Sequence, residues 1–500
     1  MTKSLFMRRA GAAALGLVVL LACASWRGAR AQGDLMANLG VFVEPPTSLR
    51  FSQRRTQTAS SRKRVTPRRT RPASSSATAS AREESRATPP PPARKSADPA
   101  DAVGRGRRPS SAGAPTAESY NARGETASTA GRFTEAADSF RHAVRLNPQY
   151  ADAHFNLGHS LYELGRHEEA ARSLAEAARL NPRDAESLSL LGAAYDKLRR
   201  PADAVEAYRK AAQLDPSDAE TQFALGNAYA AMGRTDESVE AYKQAVRLNP
   251  NYAEARYNLG EAHFKAARYE EAVAEYRTVT SLNPRDAEAL SNLGDAYRLL
   301  GRFPEAATAY EKALQLKPND PDLLADLGYV YCRTPGKWTL AIETLQKAVQ
   351  VKPDHVEARI NLSWALNNKL RFSESVETLR EAIRLQPQNP SAHFNAGIAQ
   401  SRLGKFTEAL DSFTHALRNK PNWAEAHNNL GFVYGNLGRW KEAIPQHESA
   451  IRLKPDYGGA YFNLAVAYRK SGDKKRARQQ YEKLRGINPQ LAASLQPLIK

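Results

Sequence analysis

The stretch Ala287–Asp320, AEALSNLGDAYRLLGRFPEAATAYEKALQLKPND, decides the fold of this 500-residue chain. Its marks are Leu293-Gly294, Tyr297, Gly301, Ala306, Tyr310, Ala313 and Pro318. Small and aromatic residues at these spacings read as two helices that cross closely. Gly301 lies just past the first helix, where a left-handed residue suits glycine, and Pro318 follows the second and stops it. The same frame returns as Leu259-Gly260, Ala272, Tyr276 and Pro284, and as Leu430-Gly431, Tyr434, Gly438, Ala443, Ala450 and Pro455. The proline keeps the beat: Pro148, Pro182, Pro216, Pro250, Pro284 and Pro318, then Pro353, Pro387, Pro421, Pro455 and Pro489. The step is about 34 residues, with a one-residue slip before Pro353 that falls in Cys332-Arg333-Thr334-Pro335-Gly336.

Several features of the frame are steric or electrostatic. Gly294 and Ala306 let two backbones approach. Tyr310 and its counterparts Phe140, Tyr208, Tyr242, Tyr276, Phe413 and Tyr481 are expected to fill the space between units. Asp320-Pro321 and Asn389-Pro390 read as an N-cap followed by proline at the first helical position. Acids near the start of the first helix, such as Asp152, Glu186 and Glu254, complement the helix dipole. The whole pattern resembles the tetratricopeptide repeat, and the resemblance covers residues 117–491. It implies an all-α fold, an α-solenoid of about eleven helix–turn–helix units wound as a right-handed superhelix. It also implies binding of other polypeptides along the inner surface.

Before the repeats, Lys3, Arg8 and Arg9 precede an uncharged stretch from Ala10 to Ser25, too short for the ~20 residues that span a bilayer. This reads as a secretory signal in residues 1–31. Cleavage after Ala31 or after Ala24 stays open, as do an uncleaved anchor and lipidation at Cys23 in Leu20-Leu21-Ala22-Cys23, which resembles a bacterial lipobox. The expectation is therefore an extracytoplasmic protein of a bacterial envelope, held to a membrane only through such an anchor or lipid. Residues 32–116 hold 16 Lys/Arg against 6 Asp/Glu, with Pro89-Pro90-Pro91-Pro92, no helical period and one apolar piece, Leu35–Val43. This composition is expected to be a disordered basic linker. Of the net +19, only about +4 is left for the repeats, so the basicity belongs to the leader and linker. Residues 492–500 suffice for a short capping helix.

Catalytic chemistry is missing from the frame. The ten histidines are scattered, His154, His393 and His427 at one place in their units. No HExxH or Cys/His cluster offers a metal site. Gly336-Lys337-Trp338-Thr339 lacks the earlier glycine of a phosphate loop. No nucleophile motif stands out, so the reading is a non-enzymatic chain with no cofactor.

The inner face carries the functional expectation. Counting the period proline as position 32 of its unit, position 6 reads Asn156, Asn258, Asn292, Asn361, Asn395, Asn429 and Asn463. An amide offers donors and an acceptor to an extended peptide backbone. The pattern resembles the asparagine ladder in the repeat arm of O-GlcNAc transferase, here without a catalytic domain; stacking of adjacent repeats is the alternative. Position 9 turns apolar midway: Tyr329, Trp364, Ile398, Phe432 and Val466 follow Glu261 and Asp295, and position 5 adds Phe394 and Phe462. An amide ladder beside an apolar stripe suits an extended protein or peptide segment. Packing between neighbouring helices is the other reading of position 9. The expected main site is therefore units seven to eleven, with Asn156, Asn258 and Asn292 as a secondary groove. Other readings are docking of a folded partner in an envelope assembly machine, or binding of anionic surface polymers through the linker; export makes nucleic acid a poor partner.

Overall fold

The structure, a computed structural model, describes residues 115–499, and among these there is no strand. The expected leader, Cys23 and the linker up to residue 114 lie outside the described residues. Two compact units are distinguished, one ending at Leu300 and the other beginning at Gly301. The first holds α1 (Ala117–Thr129), α2 (Phe133–Leu146), α3 (Ala151–Glu163), α4 (His167–Leu180), α5 (Ala185–Lys197), α6 (Pro201–Leu214), α7 (Ala219–Ala231), α8 (Thr235–Leu248), α9 (Ala253–Lys265), α10 (Tyr269–Leu282) and α11 (Ala287–Leu299). The second holds α12 (Phe303–Leu316), α13 (Pro321–Arg333), α14 (Trp338–Val351), α15 (Val356–Asn368), α16 (Phe372–Leu385), α17 (Pro390–Arg402), α18 (Phe406–Asn419), α19 (Ala424–Asn436), α20 (Trp440–Leu453), α21 (Gly458–Lys470), α22 (Lys474–Ile487) and α23 (Pro489–Ile499). These are consecutive helix pairs, the build of an all-α repeat solenoid.

Most hairpins are closed by one aromatic or leucine side chain against one glycine; in the repeating frame Ser363 and Ala465 replace the glycine and His447 replaces the ring. A Cβ on Gly124 would stand 2.5 Å from Phe140 Cε1, on Gly226 2.5 Å from Tyr242, and on Gly397 2.8 Å from Phe413. The rings therefore lie on the glycine of their own hairpin, where the sequence suggested a position between units. Phe140, Tyr276, Tyr310 and Phe413 are fully buried, and each such ring contributes about 1.5–3 kcal/mol. Alanines such as Ala136, Ala143, Ala272 and Ala313 complete the contact with no exposed surface.

The punctuation works as the sequence suggests, with exceptions. Seven glycines, Gly131, Gly165, Gly233, Gly301, Gly404, Gly438 and Gly472, take φ between 72° and 97° after the first helix. Arg199, Ala267 and Leu370 hold the same turn position with φ of 56–61°. Asp320 accepts from the backbone N–H groups of Asp322 and Leu323, and Asn389 from those of Ser391 and Ala392, as N-caps. Thr334–Lys337 carries the extra residue as a longer turn, with Gly336 at φ 79°. The terminal helix starts earlier than expected. Pro489 does not stop a helix; it opens α23, and Asn488 accepts from Leu491 N–H at its start.

A staple that the sequence did not reveal links five of the turns to the next helix. His154, His393 and His427 place Nε2 3.1, 2.8 and 2.9 Å from the carbonyls of Pro148, Pro387 and Pro421. Arg256 and Arg359 donate in the same way to the carbonyls of Pro250 and Pro353. The shared place of these histidines in their units thus satisfies a turn carbonyl left open where proline ends a helix.

The first-helix face of the hairpins

The position-6 asparagines sit on the first helices α3, α9, α11, α15, α17, α19 and α21. Most spend their amide N–H on the preceding hairpin. Asn156, fully buried, donates to Asn121 Oδ1 at 3.3 Å, and Asn258 to Asn227 Oδ1 at 2.8 Å. Asn292 donates to the Tyr257 hydroxyl at 2.9 Å, and Asn463 to Asn428 Oδ1 at 3.0 Å. Asn395, 1% exposed, reaches Ser363 Oγ at 3.4 Å. Asn429 instead donates to the Glu425 carbonyl of its own helix at 2.9 Å. Asn258, Asn361 and Asn463 keep part of their surface in solvent. The acceptors Asn121, Tyr257 and Asn428 share position 5, which an isolated reading of position 6 overlooks.

The apolar stripe divides into a covered part and a half-open part. Phe394 is fully buried between Phe413, 5.7 Å between ring centres, and Trp423, 4.2 Å. Ile398 and Trp364 are 4% and 7% exposed. Trp364 receives the edge of Trp338 at 5.5 Å and 89°, and Tyr329 at 6.3 Å, so an aromatic cluster stands beside the longer turn. Tyr329 and Phe432 are half-buried. Phe462 and Val466 are also half-buried, but they pack against the cluster built by Tyr461, Leu484 and the α23 residues Leu491, Ala492 and Leu495. The terminal helix thus covers the end of the stripe.

The first unit has a different face. Glu261 pairs with Lys265 at 2.8 Å, and the buried Asp295 lies 3.7 Å from Arg298. His159 is 2% exposed near Phe133 and Phe155, and burial pushes its pKa down to about 4. In the last full hairpins His447 takes the place of the closing ring, over Gly431, with Nδ1 3.0 Å from Asn428 Oδ1; burial lowers its pKa to about 3. Among the described residues no group of three or more His, Cys, Asp or Glu side chains is placed to hold a metal ion. Cys332 is buried, and burial pushes its thiol well above the ordinary range.

The repeat hairpins agree with the families that match the sequence. Residues 294–334 and 371–404 match a TPR repeat family, and residues 394–451 and 424–490 match two families named tetratricopeptide repeat. The chain is a tetratricopeptide repeat protein. Residues 114–293 of this repeat protein match the family "Cilia and flagella-associated protein 70 C-terminal domain". That match overturns the expected bacterial-envelope location, since the family is named for a protein of cilia and flagella. The misreading rested on a positive start and a short apolar run, features that carry no fold and are not specific to one compartment. Repeat families of this kind are typically non-catalytic.

Solved structures resemble parts of the repeat protein. MamA is 28% identical, over 32% of this chain and 95% of that chain, with a TM-score of 0.32. YrrB, titled a TPR protein with an unusual peptide-binding site, is 25% identical over 38% of this chain and 96% of that chain, with a TM-score of 0.35. The APC/C hetero-tetramer Cut9-Hcn1 is 14% identical over 77% of this chain and 96% of that chain, with a TM-score of 0.41. No curated protein matches the chain.

Proposed function

We propose that this repeat protein is a non-catalytic scaffold that holds an extended segment of a partner polypeptide on the first helices of the second unit. The observation that carries this reading is the aromatic surface beside the longer turn. Tyr329 and Trp338 are half-buried around Trp364, and Phe432 is half-buried further along. Half-buried rings give a partner side chain apolar area without first opening the core. Asn361 and Asn463, the ladder members of this unit with solvent-facing surface, are the amides best placed to meet a peptide backbone. Asn395, Asn429 and Asn463 now donate to Ser363, the Glu425 carbonyl and Asn428, and would have to release or share those bonds to meet a peptide. The name of the family over residues 114–293 directs the search for the partner to proteins of cilia and flagella.

The test is a pull-down with the full-length protein from ciliated cells, followed by calorimetry with a peptide from the recovered partner. Tyr329→Ala with Phe432→Ala should weaken binding at least tenfold, since a buried aromatic contact carries about 2 kcal/mol or more. The same chain should keep its helicity. Unchanged affinity in that double variant sinks the reading. Affinity that collapses as salt rises would instead assign binding to the basic residues 32–116.

A further inference from the structure

We propose a second docking surface, at the corner where α21 ends and α22 begins, that takes an acidic stretch of a partner polypeptide. It is separate from the first-helix face. In seven of the ten earlier hairpins this corner is neutralised by an ion pair within the hairpin. Arg132, Arg166, Arg200, Arg234, Arg302, Arg371 and Arg439 each precede a second helix and pair with the acid three residues on, at 2.6–3.0 Å. In the last hairpin the pair is inverted: Asp473 precedes the helix and meets Arg476 at 3.2 Å. Arg476 also lies over the Tyr468 ring, 5.4 Å from its centre, so the structural role of the pair is kept.

What the inversion adds is unpaired positive charge. Lys474, Lys475 and Arg478 on α22, with Lys470 at the end of α21, are exposed and have no salt bridge among the described residues. The first turn of α22 holds no acid, whereas nine of the ten earlier second helices carry at least one there. Bases at that place oppose the positive end of the helix dipole, so they do not serve the fold. Four cations around one turn complement a run of carboxylates, through charge-assisted hydrogen bonds. The exposed neighbours Ser471, Gly472 and Gln479 carry no apolar side chain, so nothing beside the cations would enter a bilayer. The nearby Tyr468 ring is buried beneath Arg476, which leaves no exposed ring to stack a base.

The experiment uses the full-length chain and polyglutamate of about ten residues carrying a photo-crosslinker, at about 50 and about 300 mM salt, with the labelled peptides mapped. The expected result is label on residues 469–478 at low salt, reduced about tenfold or more at high salt. Lys474→Glu/Lys475→Glu/Arg478→Glu should lose that label and keep any label on the basic residues 54–71. Thermal melting of the variant should be unchanged or higher, because acids suit a helix start. If the triple variant unfolds, Lys470→Gln with Arg478→Gln takes its place. Label confined to residues 32–116, or equal label in natural and variant chains, overturns the proposal. Vesicles rich in anionic lipid, or single-stranded DNA, that bind through these residues where polyglutamate does not would also overturn it.

Discussion

Ala267 holds a left-handed backbone, φ 56°, that seven counterparts assign to glycine. An L-residue there pays roughly 1–2 kcal/mol of steric strain, so Ala267→Gly should raise stability by about 0.5–1 kcal/mol after the entropy of glycine is set against it. Chemical denaturation of the two chains measures this directly. Titration marks two other residues. His159 and His447 are held neutral by burial, near pKa 4 and 3, against an ordinary 6.5. Folding thus favours the uncharged ring. The stability this contributes is complete above about pH 6.5 and drains away as the pH falls from there toward the folded values. The melting midpoint should drop between pH 7 and 5, and His447→Phe should shrink that drop. A ring is tolerated there because Phe140 and Phe413 occupy the equivalent place over Gly124 and Gly397. An equal drop in the variant would mean that His447 titrates alike in the folded and unfolded chain. The burial of His447 was not legible in the sequence, where it reads as one more scattered histidine. Its place in the 34-residue frame, the place of Tyr310, was the signal that could have found it.

At the scale of the helix pair, fold and site were unequally legible. The proline beat, the post-helix glycines and the caps at Asp320 and Asn389 are local, and local chemistry is written in adjacent residues. The asparagine ladder was visible as a pattern, but its hydrogen-bond partners were not. Whether an amide faces a ligand or the next helix depends on a rotation of a few tens of degrees, and position 5 varies among Asn, Tyr, Phe, Ser, Ala and Ile. The geometry makes different demands on different members. Asn156→Ala should cost about 1 kcal/mol of stability, since it leaves the buried Asn121 without one of its bonds. Asn361→Ala, on a partly exposed amide, should leave the melting midpoint within about 0.5 kcal/mol of the natural chain. Gly226→Ala tests the closing contact. Its methyl would lie 2.5 Å from Tyr242, and overpacking of this kind costs about 1–3 kcal/mol. Thermal melts of these three chains separate stacking from closure.

Across the whole chain, charge and closure are distributed unevenly. Residues 117–300 hold 28 acids and 22 bases, while residues 301–499 hold 19 acids and 28 bases. The small net charge inferred for the repeats hides this opposition, because a sum over the array averages two unlike halves. Deleting residues 489–500 should expose Leu484, Leu464 and Tyr461, and hydrogen exchange should then quicken in α21 and α22 while α13 and α14 stay protected. Loss of protection throughout the second unit would show that its hairpins unfold as one. The location expected from the leader failed because an address signal is a short run outside the repeating frame; the repeats themselves carried the family.

The longer turn at Thr334–Lys337 has a practical consequence. One extra residue is absorbed there, and the next helices resume the frame at once, with Pro353 ending its hairpin as Pro318 ends the one before. Length at this bend is thus decoupled from the stacking of the units, which makes Pro335–Gly336 a natural splice point. A fluorescent reporter or affinity tag grafted there would ride beside the aromatic cluster of Tyr329, Trp338 and Trp364 and signal its occupancy from within.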